Sequence, residues 1–218
     1  MKKPILFCDF DGTITNTDNI IAIMKKFAPP EWVGIKDQIL SQEIPIQVGV
    51  SQLFSLLPSD WKEEITDYIT QHAVIREGFK EFVEFTQKQG IQLYVVSGGI
   101  DFFVEPLLEG LVPLENIYCN KSDFSGERIR ILWPYTCDTE CSNQCGCCKP
   151  TLIRSLAGSD DYKIVIGDSI TDLQAAKLAD KVIARDFLVE KCTELGLKYA
   201  PFETFFDVIN VLEKVEVR

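Results

Sequence analysis

No Lys/Arg-rich run occurs anywhere in this 218-residue chain, and 33 acidic side chains face 22 basic ones for a formal net charge of −11. That balance argues against nucleic acid or an anionic membrane surface as a partner. No segment approaches the roughly 20 apolar residues of a membrane span. The first apolar run, Ile5-Leu6-Phe7-Cys8, stops at Asp9, short of the apolar region of a signal peptide. A cytoplasmic protein is therefore expected. Internal repeats and low-complexity tracts are also missing. What remains is 46% hydrophobic and 25% charged, an ordinary globular composition. The length suits one large domain, or a core with a smaller insertion. An acidic surface does not exclude an anionic substrate, because a bound cation and oriented N–H groups set the potential inside a site.

Short apolar runs at Ile5–Phe10, Ile91–Val96, Ile117–Cys119, Lys163–Ile166 and Lys181–Ala184 read as buried parallel strands separated by helix-length amphipathic stretches. The pattern predicts an α/β fold, a doubly wound, Rossmann-like parallel sheet whose ligands bind beyond the carboxyl ends of the strands. Thr15 to His72 breaks the alternation. Ile20, Ile21, Met24 and Phe27 share one helical face; Trp32, Ile35, Ile39 and Leu40 another; Val48, Leu53, Phe54 and Leu57 a third. Pro29-Pro30, Pro45 and Pro58 punctuate them. A structureless loop of that length is implausible, so residues 15–72 are expected to form an inserted all-helical cap domain. Residues 1–14 and 73–218 would then make the core, with a hairpin and a Cys-rich loop over residues 120–148.

Chemistry gathers at the predicted strand ends. The first strand runs into Asp9-Phe10-Asp11-Gly12-Thr13, where alternation would put two carboxyl groups on one side. The second runs into Ser97-Gly98-Gly99, a hydroxyl and backbone N–H groups suited to phosphate oxygens. Lys149-Pro150 opens a helix with proline in its first turn. Gly167-Asp168, followed by Asp172, adds two further carboxylates. Singly these are ordinary turns and a solvated lysine; in this order, three of them at strand ends, they point to one site.

In these four motifs the chain resembles the haloacid dehalogenase superfamily over its whole length, with residues 15–72 similar to the helical cap of one branch. The resemblance implies phosphate monoester hydrolysis with Mg²⁺ as cofactor, held by Asp9, the backbone carbonyl of Asp11, and Asp168. It makes Asp9 the nucleophile that becomes an aspartyl-phosphate and Asp11 the general acid and base. Ser97, Gly98 and Lys149 would hold the phosphate, and Asp172 would orient Lys149 or a metal-bound water. Such chemistry fits the residues, because carboxylate-held Mg²⁺ screens the repulsion between attacking and attacked anions.

The expected partner is a small phosphorylated metabolite; a homodimer is compatible with the sequence, which does not fix the oligomeric state. In phosphoserine phosphatases a cap acid pairs with the substrate amine and an Arg with its carboxylate. Asp18 falls about where that acid does, yet no Arg precedes Arg76, which disfavours an amino-acid substrate. Met24 and Phe27 are candidates for substrate contact, although most apolar cap residues are expected to pack the cap's own core. The whole chain, with its run ending in Cys147-Cys148-Lys149-Pro150, is similar to the methionine-salvage branch of the family, which implies a neutral, thioether-tailed ester. A phosphotransferase would share the first chemical step, and a non-catalytic metal or redox protein on this fold is a third reading. Isolated Cys8, Cys119 and Cys192 read as core residues. Cys137, Cys141, Cys145, Cys147 and Cys148 could stay as thiols, form a labile disulfide or meet around Zn²⁺.

Overall fold

The computed structural model describes residues 2–141 and 146–215. Its strands are β1 (Lys3–Cys8), β2 (Gln92–Ile100), β3 (Ile117–Asp123), β4 (Arg130–Leu132), β5 (Asp161–Gly167), β6 (Lys181–Ala184) and β7 (Tyr199–Pro201). They form one sheet in the order β4-β3-β2-β1-β5-β6-β7, parallel throughout except that β4 runs antiparallel to β3. The chain leaves β1 toward β2 on one side and returns to β5 on the other, so the carboxyl end of β1 is the topological switch point where such sheets bind ligands. A Rossmann-like core is thus present.

The helices are α1 (Asn19–Phe27), α2 (Trp32–Leu40), α3 (Ile46–Ser55), α4 (Lys62–His72), α5 (Phe79–Gln89), α6 (Asp101–Leu108), α7 (Lys149–Leu156), α8 (Leu173–Ala176), α9 (Asp186–Glu194) and α10 (Phe205–Leu212). Period-two alternation along β1 divides its side chains between the two faces of the sheet. Leu6 and Cys8 join a core with Phe79, Phe82 and Val83 of α5 and Phe205 and Val208 of α10. Ile5 and Phe7 pack with Leu152 and Ile153 of α7 and Ala175 of α8. Burial on both faces explains why β1, β5 and β6 read as nearly continuous apolar runs.

Between β1 and α5 lie α1 to α4 and a 3-10 turn at Ser59–Trp61. Asp18 caps α1 by accepting the Ile21 N–H at 2.9 Å, and Lys25 and Lys26 complement its carboxyl end. The segment's entry and exit are clasped by an antiparallel bridge between Thr15 and Ile75, with the Asn16 N–H donating to Val74 O. Its far side is tied to the turn before β4, where the Ser59 N–H donates to Glu127 O and the Ile129 N–H to Leu57 O.

Three expectations need correction. β1 ends at Cys8 rather than Phe10, so the strand's alternation does not set the directions of Asp9 and Asp11. β2 does not end at Val96 but stays extended to Ile100, with its register to β3 shifting between Val96 and Ile100. Ser97-Gly98-Gly99 is therefore a bulged strand end, not a turn. β3 continues past Cys119 because its polar residues are paired: Asp101 accepts the Ser122 N–H and hydroxyl, and Lys121 meets Glu105 at 2.5 Å.

Phe82 is fully buried, with its ring centroid 5.0 Å from that of Phe205. Phe82→Ala should cost about 3–5 kcal/mol by the transfer and cavity terms. The check is a urea titration, in which the midpoint should fall while the slope is unchanged.

Candidate active site

Asp9 follows β1 directly and is 6% exposed. Its Oδ1 accepts the Phe10 N–H at 2.8 Å, and its Oδ2 lies 2.8 Å from Lys149 Nζ. Lys149, the first residue of α7, is equally buried and reaches Asp172 Oδ1 at 2.5 Å and Thr171 Oγ1 at 3.4 Å. The other oxygen of Asp172 accepts from the Asp168 and Ser169 N–H groups and from the Ser169 hydroxyl, a capping box at the turn after β5. Asp172 thereby fixes both the ammonium and the backbone that carries Asp168.

Asp168 accepts the Thr13 hydroxyl at 2.7 Å, which joins the loops after β1 and β5. Gly12 makes that approach possible: at φ +77° any Cβ there would overlap the Asp168 carboxylate. Oxygens of Asp9, Asp168 and Asp172 lie within 4.8 Å of one another. Set against Lys149, three carboxylates leave an excess of two negative charges, the charge of one divalent cation. Hard oxygen donors so crowded fit Mg²⁺.

Asp11 points elsewhere. Its Oδ1 accepts both the backbone N–H and the side-chain amide of Asn19, at 2.9 and 2.7 Å. A proton on Asp11 therefore belongs to Oδ2, the oxygen that faces Gly99, where a Cβ would stand 2.9 Å away. Burial, then the neighbouring Asp18, push Asp11 up to about 7 against the lowering effect of Asn19. Burial, then Asp172, likewise push Asp168 up to about 6, and the same two causes raise Asp9 well above the usual carboxylate range. For Lys149 burial disfavours the charge, but Asp172 and Asp9 outweigh it and hold the ammonium protonated.

The structure thus brings Asp9, Lys149, Asp168 and Asp172 together with Asp11 at their side. Ser97 is fully buried and its Oγ accepts the Gly99 N–H at 2.9 Å, while Gly98 is exposed. Asp18 is exposed and caps α1. Met24 and Phe27, the other two candidates, are both packed against neighbouring side chains. Met24 is fully buried in the core, and Phe27 packs its ring against Trp61 and Tyr68. Two further residues hold the site. Asn19 fixes Asp11, and buried Arg76 donates to the carbonyls of Gly12, Thr13, Thr15 and Glu203. Arg76 is invisible as a site residue in sequence, because its partners are backbone atoms 61 to 127 positions away.

Lys149→Met should destabilise the metal-free protein by about 3–5 kcal/mol, the usual cost of breaking a buried ion pair from one side. Lys149 is the lowering influence on Asp9, so in the variant the folded state holds that proton still more tightly than the unfolded chain does. Stability should then fall as pH rises from the acidic into the neutral range. Urea midpoints of parent and variant across that range measure the difference, which should shrink toward acid pH.

Residues 6–177 match the family model described as haloacid dehalogenase-like hydrolase. A relative from Geobacillus kaustophilus, named 2-hydroxy-3-keto-5-methylthiopentenyl-1-phosphate phosphatase, is 64% identical over 99% of this chain and 98% of its own length. One of the same name from Bacillus cereus is 59% identical over 95% of both chains. Among solved structures, a phospho-aspartyl intermediate analogue of phosphoserine phosphatase superposes with a TM-score of 0.71 at 20% identity, covering 99% of this chain and 100% of that one. At that identity the superposition speaks for the fold.

Proposed function

The chain belongs to the haloacid dehalogenase-like hydrolase family, and from that membership we propose a Mg²⁺-dependent phosphatase acting on 2-hydroxy-3-keto-5-methylthiopentenyl-1-phosphate. The observation that carries the chemistry is the buried Asp9–Lys149 pair beside Asp11, an acid near neutrality with one oxygen pinned and the other available for a proton. The substrate comes from relatives sharing about six residues in ten.

Asp9 attacks phosphorus, forming a carboxylate O–P bond as the ester P–O bond breaks. The leaving alkoxide takes the proton from Asp11 Oδ2. Asp11, now a carboxylate, removes a proton from the water that cleaves the aspartyl-phosphate, which releases phosphate and restores both residues. Lys149 and N–H groups around Ser97 and Gly98 hold the phosphate oxygens. Asp9 and Asp168 would hold Mg²⁺ together with the Asp11 carbonyl, and the cation supplies charge neutralisation of the attacked phosphate. Residues 15–72 act as a cap over this edge of the sheet. The cap carries no Arg, and Arg76 is engaged by backbone carbonyls, which leaves no guanidinium there for a substrate carboxylate.

Asp9→Asn should abolish turnover without loss of fold, since an amide is neither this nucleophile nor an anionic ligand; phosphate release within tenfold of the parent would refute the assignment. Exhaustive chelation should stop turnover and Mg²⁺ restore it, with Ca²⁺ a poor substitute because its looser coordination misplaces the attacking carboxylate. Full activity after chelation would remove the metal from the scheme. The methylthio-pentenyl phosphate should show a much higher kcat/KM than phosphoserine. The opposite order would discard the substrate and leave the aspartyl-phosphate chemistry standing.

A further inference from the structure

A second set of donors lies in the segment that leads into α7. The sulfurs of Cys137, Cys141 and Cys148 are within 4.8 Å of one another, Cys148 fully buried and the other two half-buried. A tetrahedral zinc ion with bonds of about 2.3 Å separates its sulfurs by roughly 3.8 Å, so little closure is needed. Hydrogen bonds hold the surrounding segment in place. The Thr151 hydroxyl donates to Cys148 Sγ at 3.1 Å and accepts the Asp138 N–H at 3.0 Å. Arg154 grips Asp138 through two bonds of 2.8 and 2.6 Å, and the Cys148 N–H donates to Tyr135 O. Hydrogen bonds of this kind orient metal-bound sulfur and stabilise its charge.

We propose that Cys137, Cys141 and Cys148 bind a structural zinc ion that clamps the segment after β4 onto the first turn of α7. Three mutually close sulfurs suit one ion better than a disulfide, which would leave one thiol over. The fourth position falls to a donor outside this trio; Cys145 lies outside the described residues. Soft sulfur donors here and hard carboxylates around Asp9 sort zinc from Mg²⁺ by ligand chemistry. Binding releases the thiol protons to solvent. Cys148 immediately precedes Lys149, and the clamp therefore fixes the residue that pairs with Asp9.

The test is metal analysis of the whole protein, purified from zinc-supplemented medium and exchanged into excess Mg²⁺ to clear the carboxylates. About one zinc per chain is expected. Cys137→Ser and Cys141→Ser should each lower it at least tenfold, while Cys119→Ser and Cys192→Ser leave it unchanged. Because a variant can fail to fold, the unmodified protein is also stripped and reloaded with Co²⁺ in excess Mg²⁺. Thiolate-to-cobalt charge-transfer absorption with tetrahedral d–d bands supports the site. Absence of bound zinc and of that spectrum overturns it. So does zinc retained in full by Cys137→Ser and Cys141→Ser, or a disulfide joining two of the three residues in freshly purified protein.

Discussion

The buried ammonium of Lys149 between Asp9 and Asp172 is the interaction on which the rest of the site depends. Each ion taken out of water costs several kcal/mol, recovered only where geometry is close and the remaining valences are met. Here they are met: Lys149 lies 2.8 Å from Asp9 and 2.5 Å from Asp172, and Asp172 is saturated by its capping box. One cation still does not balance three carboxylates. Burial, and then the uncompensated charge of Asp172, push Asp168 up to about 6 and raise Asp9, and a divalent cation would complete the cluster.

Holding like charges together requires a stiff backbone, and the loop after β1 is stiffened by a residue from outside the motif. Arg76 stands where the chain re-enters the core and binds three carbonyls of residues 12–15, while its own N–H donates to Ile14 O. The same stretch passes Thr13 to Asp168 and leads to Asn19, which fixes Asp11. Entry and exit of the helical segment, the loop after β1 and the β5 turn are thus one hydrogen-bonded assembly. A motion of the helical segment would pull on Asp11 through Asn19, so the position of that segment and that of the Asp11 carboxyl are mechanically linked.

Much of this was legible in the sequence because it is written locally. Apolar runs buried on both faces located the sheet, and β6 was found at Lys181–Ala184 itself. The acidic motifs marked where β1 and β5 end because acids and glycines interrupt those runs, whereas β2 continues through Ser97-Gly98-Gly99 to Ile100. What escaped depends on distant partners. β7 is three residues long and only half-buried, so it carries no periodic signal. The bulge in β2 arises because Gly99 must pass close to Asp11 and Ser97, a tertiary demand. Met24 lies on the predicted apolar face of α1, and periodicity alone cannot say which neighbours such a face meets; in the fold Ile23 and Met24 are buried.

Lys149 also breaks a local rule. A helix N-terminus carries partial positive charge and ordinarily takes an acid in its first turn, yet α7 begins with a lysine and has no acidic residue there. Taken alone the arrangement is unfavourable. It becomes coherent once the Lys149 ammonium is seen to reach both Asp9 and Asp172, which places positive charge at the edge where β1 ends. A sequence selected only for folding would place Asp or Ser at this position. Local disagreement of that kind is expected at functional sites, and here the compensation is visible, because Asp9 and Asp172 neutralise on the folded protein what the helix alone would repel.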